Sequence, residues 1–253
     1  MKIIRFVYKN KIFWGSVEKE TVRILKNEPW KNIEPTAKTL TFSQIKLMPP
    51  ATPSKIILAG LNYKDHAREL NMVIPEEPIV FLKPPTALIA HGENIVYPQE
   101  SRQVDYEGEL ALVMAKNGRN IPEKEAGSYI LGYTCLNDVT ARDLQKKDGQ
   151  WSRAKSFDTF CPVGPWIETD LDPTDRRIKT YVNNKIKQDS STANFIFSVG
   201  YLVSFISRIM TLCAGDIIST GTPPGVGQLK IGDTVAVEIE GLGRLENRVV
   251  APE

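Results

Sequence analysis

Short runs of alternating apolar and polar residues dominate this chain, and long stretches at helical spacing are few. From Met1 to about Pro50 the stretch MKIIRFVYKNKIFWGSVEKETVRIL alternates, with turn signals at Lys9-Asn10 and Glu18-Lys19. That pattern predicts short strands joined by tight turns. Pro49, Pro50 and Pro53 then punctuate the chain, so the expected division is a small β-rich domain over 1–50 and a larger domain over 51–253. SKIILAGLNY reads as a short buried strand ending in a Gly-Leu-Asn turn, and YKDHARELNM as a helical stretch. From Pro75 to Pro98 short strands and prolines alternate. There Lys83-Pro84-Pro85 is rigid and extended, because proline fixes φ and restricts its predecessor. It lines a site or simply crosses between elements. IPEKEAGSYI predicts a helix, ILGYTCLND a buried strand, and TARDLQKKDGQW a helical turn followed by a polar loop. RRIKTYVNNKIKQ predicts a hairpin about Asn183-Asn184. Val199, Leu202, Val203, Ile206 and Met210 recur at helical spacing within Ser198–Thr211, the mark of an amphipathic helix. The chain closes on alternating strands, IGDTVAVEIEGLGRLENRVV, joined through Gly241 and Gly243. The expected class is mainly β with short helices, an α+β fold.

One strand departs from the plain pattern. VDYEGELALVM, Val104 to Met114, is acidic at its start and apolar afterwards. In a strand Asp105, Glu107 and Glu109 share one face. Three carboxylates on a face that runs into a core repel one another and resist desolvation, and a bound cation removes that penalty. Oxygen-only ligands favour a hard ion, Mg2+, Mn2+ or Ca2+. The alternative is a solvated edge strand with its acids facing water.

Composition narrows the remaining classes. Net charge is +2 and the basic residues are scattered, so no nucleic-acid surface is expected. Cys135, Cys161 and Cys213 are far apart and form neither a disulfide framework nor a C-x-x-C zinc pattern. No apolar run approaches about 18 residues and the start does not read as a signal peptide. A cytoplasmic protein that neither crosses a membrane nor is exported is therefore expected. The chain has two histidines. His91 lies in a loop-like AHGEN segment, while His66 stands three residues before Glu69 on a predicted helix face. That pair is a surface ion pair, a core histidine with its partner, or a general base oriented by a carboxylate. Asp138 ends a buried strand, and Lys155 follows in a segment of small and aromatic residues, as a snorkelling surface lysine or a cation facing the acids.

The stretches NYKDHAREL, VDYEGELALV, GYTCLNDVTARDLQ, WSRAKSFDTFCPVGPWI and LCAGDIISTGTPPGVG, in this order, resemble the fumarylacetoacetate hydrolase family over about Ile56 to Val250. The resemblance implies a mixed β-roll of that family's C-terminal type, here with a small N-terminal β appendage. It implies a metal held by Glu107, Glu109 and Asp138, one Mg2+ (or Mn2+ or Ca2+) per subunit. His66 and Glu69 match the His–Glu dyad of the short members, and Lys155 the lysine beside the metal. Thr159 matches a nearby hydroxyl position, Arg142 and Gln145 match substrate-facing positions, and Gly221 and Thr222 match groups that hold the far end of the substrate. The founding member has a larger N-terminal domain and a late-chain partner for its histidine. The short appendage and local Glu69 here point instead to the small branch of acylpyruvate hydrolases, oxaloacetate decarboxylases and isomerase/decarboxylases of catechol-type degradation. A homodimer is expected, with a small oxo acid as substrate.

A 2-oxo acid chelated through its carboxylate and carbonyl would have its enolate stabilised by the ion. His66, held by Glu69, would then activate water for hydrolytic carbon–carbon cleavage, the acylpyruvate or fumarylpyruvate type of reaction. Decarboxylation or a proton shift draws on the same enolate. The contrasting class is a non-catalytic metal-and-ligand-binding module, which has no need of a base facing the metal. Leu144 to Trp151, polar with Gly149 as a hinge, is expected to act as a lid.

Overall fold

Lys9 and Asn10 both take the left-handed backbone (φ 46° and 61°), the geometry of a two-residue hairpin turn. They join strands Lys2–Tyr8 and Lys11–Glu18 in the computed structural model, which describes residues 1–252. The next turn falls on Lys19-Glu20, one residue beyond the expected Glu18-Lys19, because Lys19 is the residue that turns left-handed (φ 55°). The N-terminal strands bury Ile4, Phe6, Val22, Ile24 and Leu40 in a cluster of their own. They also continue a larger sheet, since Lys2–Tyr8 pairs antiparallel with Cys161–Glu168.

That sheet has 12 strands. Beyond Lys2–Tyr8 it runs Cys161–Glu168, Ile130–Asn137, Gly108–Met114, Ile217–Ser219, Ile56–Gly60 and, at the far edge, Ile79–Lys83. Ile217–Ser219 and Ile56–Gly60 are parallel; the other neighbours in this run are antiparallel. A 5-stranded sheet packs on it, containing the hairpin Arg177–Val182 and Lys185–Ser191. The hairpin turns at Asn183-Asn184, as their spacing predicts (φ 50° and 60°). Between the two sheets lie Leu110, Leu112, Ile178, Val237, Ile239 and Leu245. Helix α4, Val199–Ile209, closes this core with Val199, Leu202, Val203 and Ile206. Ser198 caps it, its hydroxyl accepting the Tyr201 N–H at 3.0 Å. Met210 turns extended and ends the helix one residue before its last expected apolar position.

Helix α1 spans Lys64–Glu69, α2 Arg142–Asp148 and α3 Ser152–Lys155. IPEKEAGSYI forms a 3₁₀ helix, Glu123–Tyr129, in place of an α-helix; Gly127 and Ser128 weaken the α form. No helix among the described residues is long and apolar enough to cross a membrane.

VDYEGELALVM is not one strand. Val104–Tyr106 belongs to a 3-stranded sheet and Gly108–Met114 to the 12-stranded one. The break is made by side chains that take over backbone hydrogen bonds. Glu107 N–H donates to Asn137 Oδ1 (2.9 Å) and Gly108 N–H to Gln188 Oε1 (2.9 Å). A Cβ on Gly108 would sit 2.1 Å from Thr180 Oγ1, so the junction needs glycine. The consequence reaches the site: Asp105 is separated from Glu107 and Glu109.

Candidate metal centre and its cavity

Two pieces of backbone bring the acids together. The register Gly108↔Asn137 and Glu109↔Leu136 sets the start of one strand beside the end of another. Asp138 N–H then donates to the Glu107 carbonyl at 2.8 Å. Carboxylate oxygens of Glu107, Glu109 and Asp138 consequently lie within 4.8 Å of one another, all three residues buried. Asp105 is not part of this cluster. Its Oδ2 accepts the Arg142 Nε–H at 2.9 Å, so the face of three acids expected from one strand becomes two from the strand and one from across the sheet.

Each carboxylate is fixed differently. Glu109 Oε2 accepts the Gly221 N–H (3.0 Å) and the Ser219 hydroxyl. Glu107 takes Arg142 Nη2 on Oε1 and Lys155 Nζ at 3.1 Å on Oε2. Asp138 Oδ2 accepts from Lys155 Nζ. Its Oδ1 stands 2.7 Å from Lys83 Nζ. The Lys83 ammonium is aimed at the Val139 and Phe160 carbonyls (2.8 and 2.6 Å), so Asp138 Oδ1 is a buried acceptor with no hydrogen bond.

The electrostatics follow from burial and these cations. Burial alone would raise Glu107, but the Lys155 and Arg142 charges outweigh it and hold its carboxyl at about 2. Glu109 is pushed well above the usual carboxylate range by burial, then by the charges of Asp138 and Glu107. Burial opposes charge on Lys155 too, yet Asp138 and Glu107 raise it. With Arg142 and its second partner Asp105 included, four carboxylates against the three cations Lys83, Lys155 and Arg142 leave a formal −1. The residues fit a hard divalent cation: the donors are all oxygen, one buried oxygen lacks an aligned hydrogen bond, and burial and its acidic neighbours outweigh the Lys155 charge at Glu109. Such an ion would turn the formal charge to +1, suited to an anion.

The acids form the floor of a cavity of about 590 Å³. Its wall carries the other predicted pair: His66 Nδ1 lies 2.8 Å from Glu69 Oε2. An ionised Glu69 only accepts, so Nδ1 carries the proton and Nε2 is the free ring nitrogen. Asp65 anchors the start of α1, its Oδ1 accepting the His66 N–H (3.0 Å) and its Oδ2 the Ser190 hydroxyl (2.6 Å). Ile79, Phe81 and Trp151 make an apolar side of the same cavity.

The other expected site residues divide. Arg142, Gln145, Lys155 and Thr222 line the cavity. All three Arg142 guanidinium nitrogens already have protein partners, Asp105, Glu107 and Gln145 (Nη1 to Oε1, 2.5 Å). Thr222 Oγ1 donates to the Gly108 carbonyl (3.0 Å) and accepts from Gln188 Nε2 (2.9 Å). Gly221 is not on the cavity wall and instead holds Glu109. Thr159 is not on it either; its hydroxyl accepts the Val96 N–H at 2.9 Å. The expected loop Leu144–Trp151 is largely helical: α2 runs to Asp148, Gly149 ends it in the left-handed conformation (φ 66°), and Trp151 packs edge-on against Phe81 with centroids 5.0 Å apart. Sequence reasoning missed Lys83 and Ser219. A lysine ending the apolar strand IVFLK was the available signal for Lys83; Ser219 had none, lying 110 residues from Glu109.

A mixed β fold here sets a carboxylate triad that could hold a metal ion at the floor of a cavity and a His–Glu pair on its wall. The chain belongs to the fumarylacetoacetate hydrolase family: the pattern of the fumarylacetoacetate (FAA) hydrolase C-terminal domain matches residues 55–250, and that of the Rv2993c-like N-terminal region matches 1–50. It is 56% identical over 246 residues to a protein of Archaeoglobus fulgidus, covering 97% of this chain and 95% of that one. It is 44% identical over 224 residues to the mitochondrial oxaloacetate tautomerase fahd2 of Xenopus laevis, covering 83% of this chain and 70% of that one. Among solved structures, 5-carboxymethyl-2-hydroxymuconate delta-isomerase from Mycobacterium smegmatis matches with a TM-score of 0.95 at 42% identity over 100% of both chains. Maleylpyruvate hydrolase from Sphingobium sp., in complex with manganese(II) and pyruvate, matches with 0.83 at 28% identity, again over 100% of both. Members of the family are thus enzymes that include a tautomerase, an isomerase and a hydrolase.

Proposed function

We propose that this protein is a divalent-metal-dependent enzyme that converts a small 2-oxo acid through its enolate, with keto–enol proton transfer as its principal reaction. The carrying observation is the shared cavity: three buried carboxylates on its floor and the His66–Glu69 pair on its wall. Relatives at 42–44% identity named for tautomerase and isomerase activity support proton transfer over bond cleavage. Glu107, Glu109 and Asp138 would hold Mg2+ or Mn2+, which when bound supplies Lewis-acid stabilisation of the enolate oxygen. The chain's own groups do the rest. Lys155 adds positive charge at the floor. Arg142, tied to Asp105, keeps Glu107 ionised and oriented. His66 Nε2 takes a proton from the carbon beside the carbonyl and delivers it to the oxygen to complete the enol, or runs the reverse, while Glu69 supports the imidazolium formed in between. The apolar side with Phe81 and Trp151 keeps water from the carbanion.

Hydrolytic carbon–carbon cleavage is the second reading, supported by the maleylpyruvate hydrolase match; it asks the same His66 to activate water. A panel of oxaloacetate, acetylpyruvate, fumarylpyruvate and a 2-hydroxymuconate-type diacid, with Mg2+ or Mn2+, separates the two. Proton transfer predicts metal-dependent enol–keto interconversion and deuterium uptake from D2O without loss of carbon. Release of pyruvate faster than that exchange would favour hydrolysis. Inertness toward the whole panel with either ion would sink both.

A further inference from the structure

One loop touches both halves of the cavity. Near its start Ser219 and Gly221 hold Glu109, and Thr222 holds the Gly108 carbonyl. Further on, Gly225 N–H donates to Glu69 Oε1 at 3.0 Å and, at 3.3 Å, to Oε2, the oxygen that meets His66 Nδ1 at 2.8 Å. The Gly225 carbonyl in turn accepts the Tyr106 hydroxyl at 2.9 Å. Tyr106 pairs with Gly227 across the small sheet and directly precedes the metal-ligand position Glu107. The position requires glycine: its φ is 93°, and a Cβ there would stand 2.2 Å from the Lys187 carbonyl oxygen.

Glu69 needs such a brace. It is the last residue of a six-residue helix and its side chain is 43% exposed. An exposed carboxylate–imidazole pair is weak when nothing else fixes the carboxylate. We infer that Gly225, held by Tyr106, is the positioning residue of the His66–Glu69 pair, and that it registers the base to the strand carrying the metal ligands. This rests on the reading of His66 as the base.

The test uses the protein loaded with Mn2+ for kinetics and with diamagnetic Mg2+ for spectra, and the variants Tyr106→Phe and Gly225→Ala. Losing one hydrogen bond of ordinary net strength predicts a fall in kcat of about five-fold for Tyr106→Phe, with KM and Mn2+ affinity unchanged. Gly225→Ala, which must displace the N–H donor, should fall further. Ring ¹⁵N shifts of labelled histidine, simple to assign because the chain has two histidines, should show His66 protonated on Nδ1 in the wild type and mixed tautomers in Tyr106→Phe. In a Glu69→Gln background Tyr106→Phe should cost little more. Wild-type kcat, an unchanged His66 spectrum, or an equal loss in both backgrounds would overturn the inference, as would a loss confined to folding stability. His66→Ala keeps the two levels apart. Full activity in that variant defeats the reading of the base itself; lost activity there with an intact Tyr106→Phe defeats only the positioning role.

Discussion

The floor and the wall of the cavity are built on opposite principles. Glu107, Glu109 and Asp138 are anchored in sheet backbone, buried, and held by partners that include two lysines. His66 and Glu69 sit on a short helix, partly exposed, and depend on a loop for their geometry. Buried like charges raise the energy of a site kept without an ion, so a floor that binds one would trade stability for metal affinity. The wall stores little energy, and the proposed role of moving protons suits a group in reach of solvent. Damage to the floor should therefore register in stability and metal binding, and damage to the wall in turnover.

The largest expected effect comes from Glu109→Gln. It should abolish Mn2+ binding in titration calorimetry while making the metal-free protein more stable at neutral pH. The sign follows from the raised carboxyl of Glu109. A raised group contributes stability that is full below its unfolded value and lost as pH rises through its folded value. The metal-free wild type should thus lose stability with rising pH above the ordinary carboxylate range, and the variant should show a flatter profile in urea titrations. Retained metal binding in Glu109→Gln would break the comparison at once.

Lys83→Met is next. It strips the ammonium from beside the buried Asp138, and breaking a buried pair costs about 3–5 kcal/mol. Chemical denaturation should show that loss, and saturating Mn2+ should restore part of it by supplying another cation. No shift in the midpoint would mean the ammonium is dispensable to the floor.

His66→Ala should lower kcat by roughly 10²-fold or more, the usual share of general acid–base catalysis. Mn2+ affinity and folding stability should stay near wild type, since no ligand contacts the imidazole. Glu69→Gln should fall less far, because the amide keeps the shape while weakening support for the imidazolium. If either variant lost metal binding, floor and wall would not be separable.

The smallest effect concerns α2 and α3. Hydrogen exchange of residues 144–151 with and without oxalate, an enolate mimic, should show added protection on binding, concentrated at the left-handed Gly149. Equal protection in both states would mean that Trp151 stays packed on Phe81 and that the segment is not a lid.

The sequence by itself determined the things a segment settles with its own backbone and nearest neighbours. Alternation of apolar residues specified a mainly β chain, Lys9-Asn10 and Asn183-Asn184 specified hairpin turns, and the spacing of Val199, Leu202, Val203 and Ile206 specified α4. Three-residue spacing placed His66 on Glu69, and two-residue spacing placed Glu107 near Glu109. The tertiary structure decided the rest. The strand breaks at Glu107 because Asn137 and Gln188, 30 and 80 residues away, supply its hydrogen bonds. Asp105 leaves the acidic group because its strand pairs in a different sheet, where Arg142 meets it, and Lys83 enters because folding sets its ammonium beside Asp138. A buried charge is stable only beside its partners. Those partners come from distant segments, so the local pattern marks where the acids lie, and only the packed chain decides which of them act together.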